Sequence, residues 1–252
     1  MKRRSWTRNE LIVTFNLYCK LPFGKLHNRN PEIILLANNI GRTPSAVALK
    51  LVNFASLDSD LQKRGIKGMS SHSKHDKLIF EEFSNNWEKL ITESELLLES
   101  MDVNDTINVQ IEDIKNKIGV DKLRIVKSRV NQSFFRNIVL SNYDEKCALC
   151  NLNNSKLLVA SHIIPWSKDE NHRLNPKNGL CLCSIHDKAF DTGLISFNDD
   201  LTILLSTEVK SIDNNAFASY FGQFENTELN LPKKFYPSIE FLEFHRENIF
   251  NK

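Results

Sequence analysis

The feature that most constrains the fold is a pair of short cysteine and histidine motifs. Cys147 and Cys150 are separated by two residues, as are Cys183 and His186, and 32 residues lie between the two pairs. Two such pairs of soft ligands, joined by a substantial loop, are typical of a tetrahedral structural zinc site. We therefore predict that a zinc ion joins these two segments of the chain. The alternative is that the cysteines are only buried.

Cys181 is a competing ligand. It forms a Cys-x-Cys pair with Cys183, which fits a zinc knuckle less well, and on an alternating strand the two side chains would share a face. If Cys181 completed the zinc site, His186 would be free to serve a second metal. Cys19 stands alone in a helical apolar stripe, and we expect it in the core.

Composition is that of a globular protein. The 252 residues are 41% hydrophobic and 25% charged, enough for one large or two modest domains. No apolar run approaches the ~20 residues that span a bilayer, and the basic N-terminus lacks the apolar segment of a secretory signal. We expect a cytoplasmic protein without a membrane partner. In that reducing compartment, cysteines favour metal binding or burial over disulfides.

The net charge of +2 conceals separate basic and acidic blocks. Residues 1–30 contain seven Lys or Arg and one acid, residues 81–113 ten acids and one base, and residues 115–136 seven bases and one acid. This pattern indicates two basic regions separated by an acidic spacer, and it favours a nucleic-acid partner without establishing one. The simpler alternative is that each block is the solvated face of a helix.

The N-terminal part of the chain has the signals of several helices. Thr7 caps a first helix, Pro31 opens a second that Gly41 ends, and Thr43 caps a third entered through Pro44. Two helices joined by a tight glycine-containing turn have the outline of a helix-turn-helix. The basic flanks favour contact with DNA. The alternative is a helical hairpin packed in a core.

A further helix is predicted to contain Phe80, Phe83 and Trp87. The acidic stretch that follows keeps enough leucine and isoleucine to form a connecting helix. We therefore predict a helical, DNA-binding domain over residues 1–92 and an acidic linker or connecting helix over residues 93–121.

Three motifs resemble the HNH nuclease family. They are Ser-His-Ile-Ile-Pro-Trp from Ser161, Asn-Pro-Lys-Asn-Gly-Leu-Cys-Leu-Cys from Asn175, and the segment from His186 to Phe197. They occur in the family's order and at its separations, and the first is typical of a subgroup found in bacterial restriction-type proteins. The resemblance implies a ββα-metal arrangement, in which two strands and a helix surround one divalent cation.

The helix signals of the N-terminal part and the family resemblance of the C-terminal part together predict the overall architecture. We expect an α+β protein with an N-terminal helical, helix-turn-helix-like domain and a C-terminal HNH nuclease domain with a structural zinc. The nuclease domain is predicted over residues 122–252, with its core at residues 137–198. For residues 201–252 we have no functional interpretation beyond packing against that core.

The resemblance assigns roles to four residues. His162 matches the general base, Asn178 the residue that fixes the loop and orients the base, and Asp187 and Asp191 the ligands of the catalytic cation. The chemistry agrees, because carboxylates four residues apart on a helix share one face and prefer a hard ion such as Mg²⁺ or Mn²⁺. A histidine with a pKa near ~6.5 can take a proton from the attacking water.

Two positions depart from the family pattern. Many members have an aspartate or histidine ligand immediately before the general base, where this chain has Ser161. Close relatives often have histidine at the position of Asp187, which affects the metal preference. The closest subgroup shares the serine, so this departure weakens the ligand set more than the family assignment.

The sequence thus predicts a metal-dependent endonuclease that hydrolyses DNA, with a setting in restriction or defence against foreign DNA. One active site cuts one strand, so double-strand cleavage would suggest a homodimer. Two alternatives stay open: a zinc-containing DNA-binding protein that has lost catalysis, and an RNA- or structure-specific nuclease. The basic residues expected to contact DNA phosphates are Lys168, Arg173, Lys177, Lys188, Arg129 and Arg136.

Overall fold

The fold is described from a computed structural model, for residues 4–63, 65, 72–102, 120–211 and 215–252. The chain divides into two units, Met1–Phe134 and Phe135–Lys252. The first is helical in its described part, and the second combines helices with short strands. This confirms the predicted α+β class. Within the described residues, no helix has the length and apolar character needed to cross a membrane.

Helices of the first unit begin at local capping signals. The Thr7 hydroxyl accepts a hydrogen bond from Glu10 N, and the Glu10 carboxylate accepts one from Thr7 N, which forms a capping box. Asn30 and Thr43 cap the next two helices, each with proline at its first position. The helices are α1 (Arg8–Lys20), α2 (Pro31–Asn39), α3 (Pro44–Ala55), α4 (Ser59–Lys63), α5 (Lys74–Phe83) and α6 (Trp87–Asp102).

The predicted helical hairpin is formed by α2 and α3. Gly41, just after α2, has a φ of +63°, a left-handed conformation that glycine adopts without steric cost. Both helices pack on α1, where the Phe15 and Phe54 ring centroids are 5.1 Å apart. The helix-turn-helix outline is therefore present, whereas DNA contact by this unit stays a prediction.

The single helix predicted to contain Phe80, Phe83 and Trp87 is two helices. Phe80 and Phe83 lie on α5, and Trp87 begins α6. The break occurs because Asn86 Oδ1 accepts a hydrogen bond from Lys89 N, at 3.3 Å, and so caps the start of a new helix.

The predicted linker overlaps the described structure only in part. Residues 93–102 continue α6, and the buried Ser94 hydroxyl accepts a hydrogen bond from Asn16 Nδ2 of α1 at 2.6 Å. The remainder of the segment, residues 103–119, lies outside the described residues. The boundaries of the linker therefore stay a prediction.

Several basic side chains of the first unit are paired with acids of the same unit. Lys50 Nζ lies 2.8 and 2.9 Å from the two carboxylate oxygens of Asp76, and both side chains are buried. Arg8 Nη1 lies 2.6 Å from the Glu82 carboxylate. These basic flanks therefore offer less unpaired positive charge than the sequence indicates.

The second unit is built around an antiparallel strand pair followed by a helix. β1 and β2 pair so that Leu158 is opposite Cys183 and His162 is opposite Gly179. This is the strand–strand–helix order that the family resemblance implies. The helix before the strands, α7 (Val120–Asn142), crosses the boundary between the units, so only its last part belongs to the second unit. The elements after it are β1 (Leu158–His162), β2 (Gly179–Cys183), α8 (Ser184–Asp191), β3 (Ile195–Phe197), β4 (Ile203–Leu205), α9 (Thr207–Lys210), α10 (Asn215–Tyr220) and α11 (Ile239–Asn248).

Gly179 permits close packing between β2 and α7. A Cβ atom at this position would lie 2.5 Å from Val139 Cγ2 and 2.9 Å from Phe135 Cζ, closer than carbon atoms approach one another. The absence of a side chain thus allows the Phe135 ring to reach the end of β1. There it stacks on the His162 ring, with centroids 4.0 Å apart.

The C-terminal tail folds back onto the strand–helix core. β4 pairs with β3, and His245 of α11 is buried between Ser196 and the ring of Phe190. His245 Nδ1 lies 2.9 Å from Ser196 Oγ, and His245 Nε2 lies 3.0 Å from the Phe190 carbonyl oxygen. Burial lowers the pKa of His245 to about 4, so this histidine is a neutral packing residue near neutral pH.

The buried Lys50–Asp76 pair provides a stability prediction. Asp76→Ala leaves a buried ammonium without its carboxylate and removes the N3 half of the capping box that Asp76 forms with Ser73, the N-cap of α5, so we expect destabilisation by about 3–5 kcal/mol. Urea unfolding would be followed by fluorescence in a Trp166→Phe background, where Trp6 and Trp87 report on the first unit.

The matched control is Glu81→Ala, which removes the exposed Lys77–Glu81 pair of the same helix. Such a pair contributes about 0.5 kcal/mol or less. Equal effects of the two substitutions would show that Lys50 does not depend on Asp76.

Candidate metal centre and active site

Four predicted zinc ligands are brought together in the second unit. The candidate ligand atoms of Cys147, Cys150, Cys183 and His186 all lie within 4.8 Å of one another. His186 Nδ1 is 3.4 Å from Cys147 Sγ and 3.2 Å from Cys183 Sγ, and the sulfurs of Cys150 and Cys183 are 3.9 Å apart. These separations suit tetrahedral binding of one zinc ion, because Zn–S and Zn–N bonds are about 2.0–2.3 Å long.

Local backbone geometry positions the two pairs. The first pair lies in a tight turn after α7, in which Asn151 N donates to the Cys147 carbonyl at 3.0 Å. Asn151 has a φ of +59°, a conformation that asparagine tolerates better than most residues. In the second pair, Cys183 is both the last residue of β2 and the N-cap of α8. One helical turn then carries His186 back toward the sulfurs.

Protonation within the cluster favours metal binding. The Cys147 thiol donates to Cys183, which, with His186, lowers the pKa of Cys183 to about 3. The same sharing, together with burial, raises the pKa of Cys147. The cluster therefore already stabilises one thiolate, and a bound cation would stabilise the others as their protons leave.

His186 is oriented by the tail. Its Nε2 lies 2.9 Å from the carbonyl oxygen of Tyr220, so that nitrogen carries the proton and Nδ1 faces the sulfurs. Burial lowers the pKa of His186, but the hydrogen bonds to Cys183 and to the Tyr220 carbonyl outweigh it and raise the pKa overall. Phe221 and Phe224 pack edge-on against the same ring.

Cys181 lies outside the four-residue cluster. Its side chain is fully buried on β2, and burial raises the pKa of its thiol to about 12. Within the part of the chain that the structure describes, the group of nearby ligands therefore contains His186 and not Cys181.

His162 is the last residue of β1, and its two ring nitrogens differ: one is hydrogen-bonded to a backbone carbonyl and the other carries a lone pair. Its Nε2 lies 2.9 Å from the carbonyl oxygen of Arg173, so Nε2–H donates and the lone pair is on Nδ1. The ring stacks on Phe135 and meets Trp166 edge-on. Burial lowers the pKa of His162, although the Arg173 carbonyl opposes this effect. The imidazole is therefore suited to accept a proton near neutral pH.

Asn178 joins the two ends of the loop between the strands. Its Oδ1 accepts from Ile164 N at 2.7 Å. Its Nδ2 donates to the carbonyl oxygens of Ile164 and His172 at 3.1 and 3.3 Å. Because His172 precedes the residue whose carbonyl binds the His162 ring, this buried amide holds the support of His162 in place.

The outer part of the loop between β1 and β2 packs against the C-terminal tail, residues 201–252. His172 Nδ1 pairs with Asp169, and the His172 ring lies 4.9 Å from the Phe241 ring of α11. Arg173 Nε donates to the Trp166 carbonyl at 2.7 Å. Sequence reasoning missed this role of the tail. The sequence of residues 201–252 indicated packing against the core, but nothing in it indicated which loop the tail would support.

Asp187 and Asp191 lie on one face of α8. Asp187 is half-buried and Asp191 is exposed. Partial desolvation raises the pKa of both carboxyls, and the charge of Asp187 raises the pKa of Asp191 further. The Ser161 hydroxyl is near enough to lower the pKa of Asp187, yet it completes no hydrogen bond of normal geometry among the described residues. Two mutually repelling carboxylates beside an unsatisfied hydroxyl fit a divalent cation.

The basic residues predicted to contact DNA differ in their exposure and in the partners they already have. Lys168 and Lys188 are exposed, and Lys177 is half-buried. Arg173 lies over Trp166 and pairs with Glu170. The Arg136 guanidinium donates to the Leu158 and Ser155 carbonyls at 2.9 and 2.8 Å, so it already has a structural role. The side chain of Arg129 lies outside the described residues.

Comparison with known proteins identifies the strand–helix core. The family described as HNH endonuclease matches residues 147–198, a segment that contains the metal cluster, both strands of the first sheet and α8. No curated protein matches the chain. The match supports a nuclease-type activity for this segment, which resembles the HNH endonuclease family.

Proposed function

We propose that the protein is a metal-dependent DNA endonuclease in which His162 is the general base. The observation that carries this proposal is the bond from His162 Nε2 to the Arg173 carbonyl. It leaves Nδ1 unprotonated at the end of β1, within the segment that matches the nuclease family. A base must have a free lone pair within reach of the attacking water.

His162 accepts the proton of the water that attacks phosphorus. Stacking on Phe135 and the contact with Trp166 restrict the ring, while the Arg173 carbonyl fixes its tautomer. Asn178 acts through this carbonyl and not on the substrate, since its amide bonds are all to the loop backbone. We therefore regard Asn178 as a positioning residue.

Asp187 and Asp191 would hold the catalytic cation, with Mg²⁺ or Mn²⁺ preferred. Carboxylate oxygens are hard ligands, and Mg²⁺ is commonly held by one or two carboxylates together with water and substrate phosphate. When bound, the cation would neutralise charge on the phosphate and stabilise the leaving oxygen. This assignment is supported by the causes of the raised pKa values, because a cation would offset the desolvation of both carboxylates and the repulsion that Asp191 experiences from Asp187.

The four-residue cluster is proposed to hold zinc with a structural role. All four protein ligand positions are filled by residues of this chain, and closed Cys₃His sites are typical of structural zinc. His186 is thereby assigned to the zinc and not to the catalytic cation.

DNA would be bound across the strand–helix core by Lys168, Lys177, Lys188 and Arg173, with Arg129 and Arg136 as further candidates. The exposed Lys188 lies next to Asp187 and close enough to lower the pKa of both carboxyls, where it could contact a phosphate held by them. Restriction or defence against foreign DNA is the proposed setting, and it rests on the family resemblance alone.

The first test is cleavage of plasmid DNA by His162→Ala. We expect loss of the Mg²⁺- or Mn²⁺-dependent activity by a factor of about 10²–10⁴, the usual contribution of a general base, with zinc content unchanged. His75→Ala, which alters an exposed histidine of α5, is the control. Equal activity of the two variants would contradict the assignment.

The same assay addresses the alternatives. A wild-type protein that binds DNA but cuts nothing in Mg²⁺ or Mn²⁺ would favour a binding protein without catalysis. Preference for tRNA, single strands or branched DNA over duplex would identify a different nuclease. The ratio of nicked to linear product, measured with the oligomeric state, tests the expected homodimer.

The zinc assignment predicts different outcomes for two buried cysteines. Cys147→Ala should lose the bound zinc equivalent and lower the melting temperature by at least about 5 °C, because metal binding contributes to folding. Cys181→Ala, on β2 but outside the cluster, should keep its zinc. Metal content measured by mass spectrometry would contradict the assignment if both variants retained zinc.

The pH dependence of cleavage follows from the lowered pKa of His162. The base is active when neutral, so activity is full above this pKa and is lost as the pH falls through it. We expect the acid limb of kcat/KM to have its midpoint below the ordinary value of 6.5.

Phe135→Leu removes the ring that stacks on His162 and should move this midpoint upward. Phe54→Leu in the first unit is the control and should leave it unchanged. A wild-type midpoint above 6.5, or an equal midpoint in both variants, would show that another group controls the rate.

A further inference from the structure

A groove of about 670 Å³ lies in the first unit, at the N-terminal end of α3. It is separate from the residues of the proposed active site, all of which belong to the second unit. Its lining combines cations, an aromatic ring, aliphatic side chains and a side-chain amide, namely Arg4, Trp6, Arg42, Ala46, Leu49 and Asn53. Such a mixture suits a ligand with both charged and flat apolar parts.

Arg42 builds the rim of the groove. Its guanidinium donates to the carbonyl oxygens of Arg4 and Ser5 at 3.0 and 2.7 Å and to the Glu10 carboxylate at 2.8 Å. It also lies 4.2 Å from the centre of the Trp6 ring. These contacts hold the segment before α1 against the start of α3, so the rim is fixed by several independent bonds.

The charges at the groove are unequal. Three cations, Arg4, Arg42 and Lys50, line it, and the carboxylates paired with them are those of Glu10 and Asp76. Arg4 is the most exposed of these cations, with 59% of its side chain accessible. The N-terminus of α3, a twelve-residue helix, adds positive potential at the same end. The groove therefore favours an anionic group near its rim.

Asn53 lines the groove and has a buried acceptor to which the described residues offer no partner. The residue is only 6% exposed, and its Oδ1 has no hydrogen-bond partner among the described residues. A buried acceptor without a partner is costly, so this oxygen is suited to an N–H group of a ligand. A simple anion such as phosphate has no N–H and no apolar face to offer, and a purely apolar ligand would leave both Asn53 and the cations unused.

Leu49 and Ala46 supply the apolar wall. Leu49 is 45% exposed although it lies on a helix packed in the core, and it lines the same groove as Asn53. A planar ring lying on this wall would have its edge available to Asn53 and its substituents directed toward the cationic rim. Stacking of this kind tolerates any base, because every base has an apolar face.

We propose that this groove binds a nucleotide, with the phosphate at Arg4 and the start of α3, and an N–H of the base donated to Asn53 Oδ1. The same chemistry is offered by a free nucleotide and by one nucleotide of a DNA strand. In the second case the first unit would hold one nucleotide of the strand in this groove.

The test is calorimetric titration of the full-length protein, without added divalent cation, with the four deoxynucleoside monophosphates, a short DNA strand, inorganic phosphate and an acidic peptide. Binding of nucleotides or of the strand, with much weaker binding of phosphate, is expected. Strand binding without monomer binding assigns the site to DNA, and monomer binding assigns it to nucleotides in general. Preference for the peptide, or no binding of any nucleotide form, would overturn the proposal.

Two variants localise the binding. Leu49→Glu places a negative charge on the exposed wall and should weaken nucleotide binding roughly tenfold or more, because like charges repel. Leu35→Glu, at a 63% exposed site on α2 that does not line the groove, is the matched control. Equal affinity of the two variants would overturn the proposal.

Asn53→Leu separates recognition from stability. Replacing an unsatisfied buried amide by an apolar side chain of similar size should leave the melting temperature unchanged or raise it, while nucleotide affinity falls. A lowered melting temperature with unaltered affinity would show that Asn53 is only structural. Because binding is measured without cleavage, failure here would not affect the assignment of His162, and an inactive His162 would not affect this test.

Discussion

The junction between β2 and α8 is the constraint on which the second unit depends. Cys183 ends the strand and caps the helix, so one residue sets the direction of both. The sulfurs of the first pair approach it from the turn after α7, and His186 approaches from the helix. The same turn of helix brings Asp187 to face the end of β1. The geometry of the metal cluster thus determines where the carboxylates of the candidate active site can lie.

The candidate general base is held mainly by backbone and by rings. Its tautomer depends on the Arg173 carbonyl, its orientation on Phe135, and the approach of Phe135 on the missing side chain of Gly179. The tail contributes at two points, through the Tyr220 carbonyl at His186 and the Phe241 ring at His172. Residues outside the family match therefore support those within it, in both the cluster and the loop.

Sequence reasoning could find the parts of this site that consist of distinctive side chains at fixed spacing. The two ligand pairs, the histidine at a strand end and the carboxylates four apart on a helix all have such spacing, and the structure gives the expected strand–strand–helix order. It could not find the carbonyls of Arg173 and Tyr220, because every residue has a carbonyl and only the folded backbone selects one. The choice between Cys181 and His186 likewise required coordinates, since both lie within three residues of Cys183.

Of the sequence signals, the distribution of charge predicted the structure least well. In the sequence Lys50 belongs to a basic flank. In the structure it is buried against Asp76, which is 26 positions away in the sequence. Arg42 is similarly committed to Glu10 and to two carbonyls. Counting lysines and arginines assumes that each is free, whereas buried cations are normally paired with an acid. A ligand is attracted only by positive charge that is not already paired with an acid. In the first unit, Arg4, the start of α3 and the unsatisfied Asn53 lie at the same groove. Recognition by this unit would therefore depend on the shape and donors of a small group more than on long-range attraction to a charged backbone.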